Sequence, residues 1–114
     1  MDEKSDLYIL WTNDNEITAE KMVFMYGINS KLQQWWENVT IILWGAPVKL
    51  VSENEAIQKL IKEAKEAGVH MTACKACADQ LDVTDILKDL DIEVIYWGEP
   101  LTKLLKDNEK LITI

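Results

Sequence analysis

The chain has 114 residues, 48% of them hydrophobic and 28% charged. That suits one domain spanning residues 1–114, burying about two-thirds of the surface its unfolded chain would expose. A formal charge of −8 with no basic stripe excludes modes of nucleic-acid and anionic-membrane binding that neutralise phosphate with Lys and Arg.

In chain order, the amino-terminal stretch Met1-Asp2-Glu3-Lys4-Ser5-Asp6 has neither the basic start nor the apolar run of a secretory leader. No later segment approaches the length of a membrane span, so the expected location is the cytoplasm. Residues 7–11 form the first short apolar run, and residues 12–14 a polar turn after it. A helix from about Thr18 to Trp36 presents Met22, Met25, Tyr26, Leu32 and Trp36. The second apolar run is 39–44, followed by Gly45-Ala46-Pro47. Ser52-Glu53-Asn54-Glu55 forms a capping-box pattern that opens the next helix, and Gly68 closes it. Ile57, Leu60, Ile61 and Ala64 share one face of that helix, opposite Lys62, Glu63, Lys65 and Glu66. The third run is 69–73, ending at Cys74-Lys75-Ala76-Cys77. Leu87 and Leu90 mark a third helix, 94–97 a fourth run, 100–106 a short fourth helix and 111–114 a fifth run.

These apolar runs lack strict alternation, which suits strands covered on both faces. Strands and helices alternate from end to end, as β-α-β-α-β-α-β-α-β. Such alternation implies right-handed crossovers, a parallel sheet with helices on both faces, and ligands outside the carboxyl ends of the strands. The informative residues are therefore those just after each strand. Four glycines, Gly27, Gly45, Gly68 and Gly98, never reach a dinucleotide or P-loop spacing. Asn13-Asp14-Asn15-Glu16 puts carboxylates where a mononucleotide phosphate would sit. A phospho-acceptor domain of this topology would need an aspartate where Cys74 stands. Structural zinc needs four ligands, and one chain supplies only Cys74, Cys77 and His70. No metal and no cofactor is expected.

What remains is the Cys74-Lys75-Ala76-Cys77 turn. Two cysteines so close in sequence cannot staple a domain, so they read as thiols with chemistry. Cys74 falls where a strand ends and a helix begins, with unpaired backbone amides nearby and Lys75 adding positive charge, a setting for a nucleophilic sulfur that Asp79 opposes. Cys77, one turn inward, reads as the responding thiol. The same cysteines would otherwise be small buried apolar residues. His70 lies about 13 Å away along an extended strand and cannot pair with Cys74 directly. Ile9-Leu10-Trp11, Ile42-Leu43-Trp44 and Ile95-Tyr96-Trp97 repeat one pattern, with an indole at each strand end. The three indoles are expected either to pack in the core or to wall an apolar pocket around Cys74, with Asn13, Trp44, Gly45, Lys75 and Trp97 as its candidate lining. Trp35-Trp36 suggests a helix end packed on the core or on another subunit.

Across nearly the whole chain the sequence resembles the small DsrE-like proteins of the DsrE/DsrF/DsrH sulfur-relay superfamily. The matching residues are Ile9-Leu10-Trp11-Thr12, Met22-Val23-Phe24-Met25-Tyr26, Trp35-Trp36, Ile42-Leu43-Trp44-Gly45, Ala73-Cys74-Lys75-Ala76-Cys77-Ala78-Asp79 and Gly98-Glu99-Pro100-Leu101-Thr102. The resemblance implies a three-layer α/β/α fold with a five-stranded, mostly parallel sheet of order 4-3-2-1-5, and homo-oligomers such as trimers or hexamers. In relay members a cysteine just after the third strand carries sulfur as a persulfide, and Cys74 matches it. Cys77 matches an alanine there, and Gln80-Leu81-Asp82 replaces basic residues. The expected function is therefore that of a sulfurtransferase-type carrier on Cys74, with Cys77 as a resolving thiol and donor and acceptor proteins or small thiols as partners. The alternatives are an oligomeric ligand-binding or assembly module without catalysis, and a thiol-disulfide redox switch.

Overall fold

The computed structural model describes residues 4–114, so the reading of the amino terminus rests partly on Met1 to Glu3, outside the described residues. Five strands form one sheet: β1 (Asp6–Trp11), β2 (Asn38–Leu43), β3 (His70–Cys74), β4 (Glu93–Ile95) and β5 (Lys110–Thr113). Its order is β4-β3-β2-β1-β5 and every pair of neighbours is parallel. The order implied by the family resemblance is thus the order found. Among the described residues, no helix is long and apolar enough to cross a membrane.

Helix α1 follows β1 in three stretches, Glu16–Thr18 and Met25–Leu32 with α geometry and Ala19–Phe24 between them with the wider π geometry. Within it the Met25 N–H donates to the Glu20 carbonyl five residues back. The wider turn lets Ala19, Val23 and Phe24 all face the sheet. Gly27 permits the close approach: a side-chain carbon there would sit 3.2 Å from Ile41 Cδ1. The helix ends at Leu32 and not at Trp36. Gln34 takes a left-handed backbone (φ 57°) that breaks the ladder.

Where one helix was expected between β2 and β3, there are two, α2 (Ala46–Glu53) and α3 (Glu55–Glu66). Asn54 caps α3, its Oδ1 accepting from the Ile57 N–H at 3.0 Å. The Ser52 hydroxyl instead donates back to the Lys49 carbonyl inside α2. The capping-box expectation therefore fails by two residues, because Pro47 starts a helix early enough to absorb Ser52. Two short helices also link β3 to β4, α4 (Lys75–Gln80) and α5 (Thr84–Asp89). Asp79 joins them by accepting from both Lys75 Nζ and Thr84 Oγ1, at 2.7 and 2.6 Å. The last helix is α6 (Gly98–Lys106).

The two faces of the sheet are covered unequally. Leu7, Ile9, Trp11, Val39, Ile41, Leu43, Met71 and Ala73 pack against Val23, Phe24, Val48, Val51, Ile57, Ile61, Ala78 and Leu87, from helices α1 to α5. The other face, with Ile42 and Cys74 beside Tyr8, Leu10 and Ile95, is covered by Trp97 and by Leu101 and Leu104 of α6. So β2 is buried from Val39 onward on both faces, as its unbroken apolar run requires, whereas β1 alternates buried and half-buried. The thinner layer is where the site lies.

Candidate functional site

Parity along the strands decides which side chains share the thin face. In the register, Leu43 stands beside Ala73 and Ala73 beside Val94, while Cys74 stands beside Ile95. Successive residues in a strand point to opposite faces, so Trp44, one past Leu43, and Trp97, two past Ile95, fall on the side of Cys74. Trp11 pairs with Leu43 and therefore falls on the other side. There it is fully buried, edge-on to Phe24 at 5.5 Å. Of the three strand-end indoles, two reach the candidate site and one belongs to the core.

Cys74 is the last residue of β3 and the cap of α4, with extended backbone (φ −69°, ψ 118°). With Trp44, Ala76, Tyr96, Trp97, the Gly98-Glu99-Pro100 turn and Lys103, it lines a cavity of about 730 Å³. That volume suits a small organic ligand or a reacting peptide tip. Trp97 is held in place: its Nε1 donates to Thr72 Oγ1 at 2.8 Å, both groups being buried. The walls are aromatic and apolar, with Glu99 and Lys103 as the charged groups among them.

Cys77 lies one helical turn on and lines a different cavity, of about 310 Å³, with Asp14, Gly45, Ala46, Lys49, Gln80 and Leu81. Gly45 has φ 80°, a left-handed conformation that favours glycine, and it turns the chain so that α2 starts beside the cysteine. Burial pushes the Cys77 thiol up, the Gly45 backbone N–H counters this in part, and the Cys74 thiol beside it raises it again. Both cysteines are free thiols. Cys74 is the more buried, at 4% exposure, and Cys77 is half-buried. This reverses the expectation that Cys77 lies inward: α4 is only six residues long, and Cys77 within it touches the packing of both faces of the sheet.

The remaining expected lining residues separate. Lys75 is not in the Cys74 cavity: its Nζ pairs with Asp79 at 2.7 Å and sits 5.4 Å from the centre of the Tyr96 ring. The hydrogen bond to Asp79 raises the Lys75 pKa, and the bonds from Lys75 and Thr84 lower that of Asp79. Asn13 lies outside it too, its Oδ1 accepting from the Asn15 N–H at 3.1 Å to form the turn before α1. Gly45 belongs to the Cys77 cavity. His70 stands at the far end of β3, 3.4 Å from Glu93. Ala76, Tyr96, Lys103 and the Gly98-Glu99-Pro100 turn line the cavity without being among the candidates read from the sequence. Tyr96 stands in the third indole pattern, whereas Lys103, in the last turn of α6, carries no sequence signal of its own.

No protein-family model matches the chain, and no curated protein matches it. A solved structure, the conserved protein of unknown function BT1422 from Bacteroides thetaiotaomicron, is 44% identical and superposes with a TM-score of 0.95. The match covers 96% of this chain and 95% of that one. The chain belongs to the family of that protein. The ychN protein from E. coli superposes with a TM-score of 0.71 over 98% of this chain and 100% of its own, at 14% identity. That second likeness is one of fold alone.

Proposed function

We propose that the chain is a sulfur carrier in which Cys74 holds sulfane sulfur as a persulfide. The Cys74 thiolate attacks the outer sulfur of a donor persulfide, RS–SH. The donor leaves as RS⁻ and Cys74 becomes Cys74–S–SH. From there the sulfur passes to the thiolate of an acceptor protein or small thiol by the same exchange. Alternatively, the Cys77 thiolate attacks the inner sulfur, forming the Cys74–Cys77 disulfide and expelling HS⁻. A homo-oligomer, with Trp35 and its neighbours on α1 between subunits, is part of the proposal.

The observation that carries this reading is a cysteine at the carboxyl end of a central strand, opening into an aromatic cavity, with a second thiol one turn away. The fold shared with ychN supports it at the level of architecture. A ligand-binding module has its own support in the cavity's volume and apolar walls.

One experiment separates the readings. After loading with a persulfide donor, the wild type releases sulfide and accumulates the internal disulfide. Cys77→Ala takes up sulfur and retains it, and Cys74→Ala does neither. A binding module shows little uptake in any of the three proteins. A symmetric redox pair loses its chemistry equally with either substitution.

A further inference from the structure

The two thiols open into separate cavities that share no lining residue. Cys74 faces the one walled by Trp44, Tyr96 and Trp97, on the thin side of the sheet. Cys77 faces the smaller one beside Gly45, Lys49 and Leu81, at the start of α2. A sulfur delivered to Cys74 and a reagent reaching Cys77 therefore arrive from different directions.

We infer that the site is two-sided: sulfur enters through the aromatic cavity, and the disulfide left after sulfide release is reduced by a small external thiol entering through the Cys77 cavity and attacking the Cys77 sulfur. This rests on the carrier reading and extends it to regeneration. The thiolate R′S⁻ attacks Cys77, the disulfide bond breaks, and Cys74 leaves as thiolate, ready for the next sulfur, while Cys77 carries R′S–S–Cys77. A second R′S⁻ then forms R′S–SR′ and frees the Cys77 thiolate, so the electrons come from two equivalents of the external thiol.

Two observations fix the direction. Cys74 is nearly buried and Cys77 half-buried, and of the two sulfurs of one disulfide the more exposed is attacked faster. Attack at Cys74 would also expel Cys77, the thiol that burial and its neighbour push up, and a more basic thiolate leaves more slowly. The order is not readable from sequence, because it depends on where a six-residue helix turns Cys77.

The test needs no persulfide. The wild-type protein is oxidised with diamide to the internal disulfide, treated briefly with glutathione, and quenched with N-ethylmaleimide. Trypsin cleaves after Lys75, which places Cys74 and Cys77 on different peptides. The expected products are maleimide on the Cys74 peptide and glutathione on the Cys77 peptide. Leu81→Trp, which crowds the mouth of the smaller cavity, is expected to slow formation of that adduct about tenfold. Gln80→Trp serves the same purpose if Leu81→Trp does not fold. Glutathione on the Cys74 peptide, an even mixture, failure to form the disulfide, or no effect of crowding would each overturn the inference. Because the disulfide is made by a chemical oxidant, these outcomes are independent of sulfur uptake. If uptake fails while the Cys77 adduct forms, the carrier reading fails and the two-sided geometry stands.

Discussion

At the scale of residues, the site is two sulfurs made unequal by their surroundings. Cys74 ends a strand that hydrogen-bonds on both sides, so the sheet holds its position, and Trp97 is pinned over it by the bond to Thr72. Losing that bond would leave a buried indole N–H unpaired, at a cost of about 1–3 kcal/mol. Cys77 is held as a thiol to higher pH than a free cysteine, by burial first and by Cys74 second. In the proposed resolving step Cys77 attacks as its thiolate, so the raised pKa would slow sulfide release at neutral pH and lengthen the life of a persulfide on Cys74. Release from the loaded wild type is therefore expected to climb steeply between about pH 7 and 9, with no plateau near the value of an ordinary cysteine, about 8.5. A rate independent of pH over that range would mean that Cys77 deprotonation does not control the step.

At the scale of elements, strand–helix alternation and the cysteine at the end of β3 are legible in the sequence, because periodicity and strand-end position are local properties. Which way an indole faces is not. Trp11, Trp44 and Trp97 stand in near-identical contexts, and only the register sends Trp11 into the core and the other two to the cavity. Strand order is not written in the periodicity, and only the family resemblance implies it. The capping box misled for a related reason: Ser52-Glu53-Asn54-Glu55 holds two good caps, and the one in use depends on how far α2 runs. Asn54→Ala is expected to cost about 1 kcal/mol of stability, read by chemical denaturation, through the lost bond to the Ile57 N–H. Ser52→Ala should fall within about 0.5 kcal/mol of wild type. The opposite ranking would restore Ser52 as the cap.

At the scale of the molecule, apolar surface remains on the outside. Met22, Met25 and Leu32 lie exposed on α1, and Trp35, just beyond it, is 60% exposed against Tyr26, their rings 6.1 Å apart. Trp36 turns inward and its Nε1 donates to the Tyr26 hydroxyl at 3.1 Å, so the paired tryptophans divide between core and surface. An exposed apolar row of this kind fits burial between copies of the chain. Sedimentation at micromolar concentration is expected to give the mass of an oligomer for the wild type and a smaller species for Trp35→Glu. A wild type that sediments as a monomer throughout would contradict the assembly.

The central claim is that sulfur resides on Cys74, and the most direct measurement is its position in Cys77→Ala. That variant is treated with a persulfide donor, alkylated without reductant, digested with trypsin and read by peptide mass. One added sulfur atom is expected on the peptide ending at Lys75, which holds Cys74, and none in the Cys74→Ala protein treated alongside. Sulfur on Cys77 in Cys74→Ala, or no added sulfur in Cys77→Ala, would contradict it.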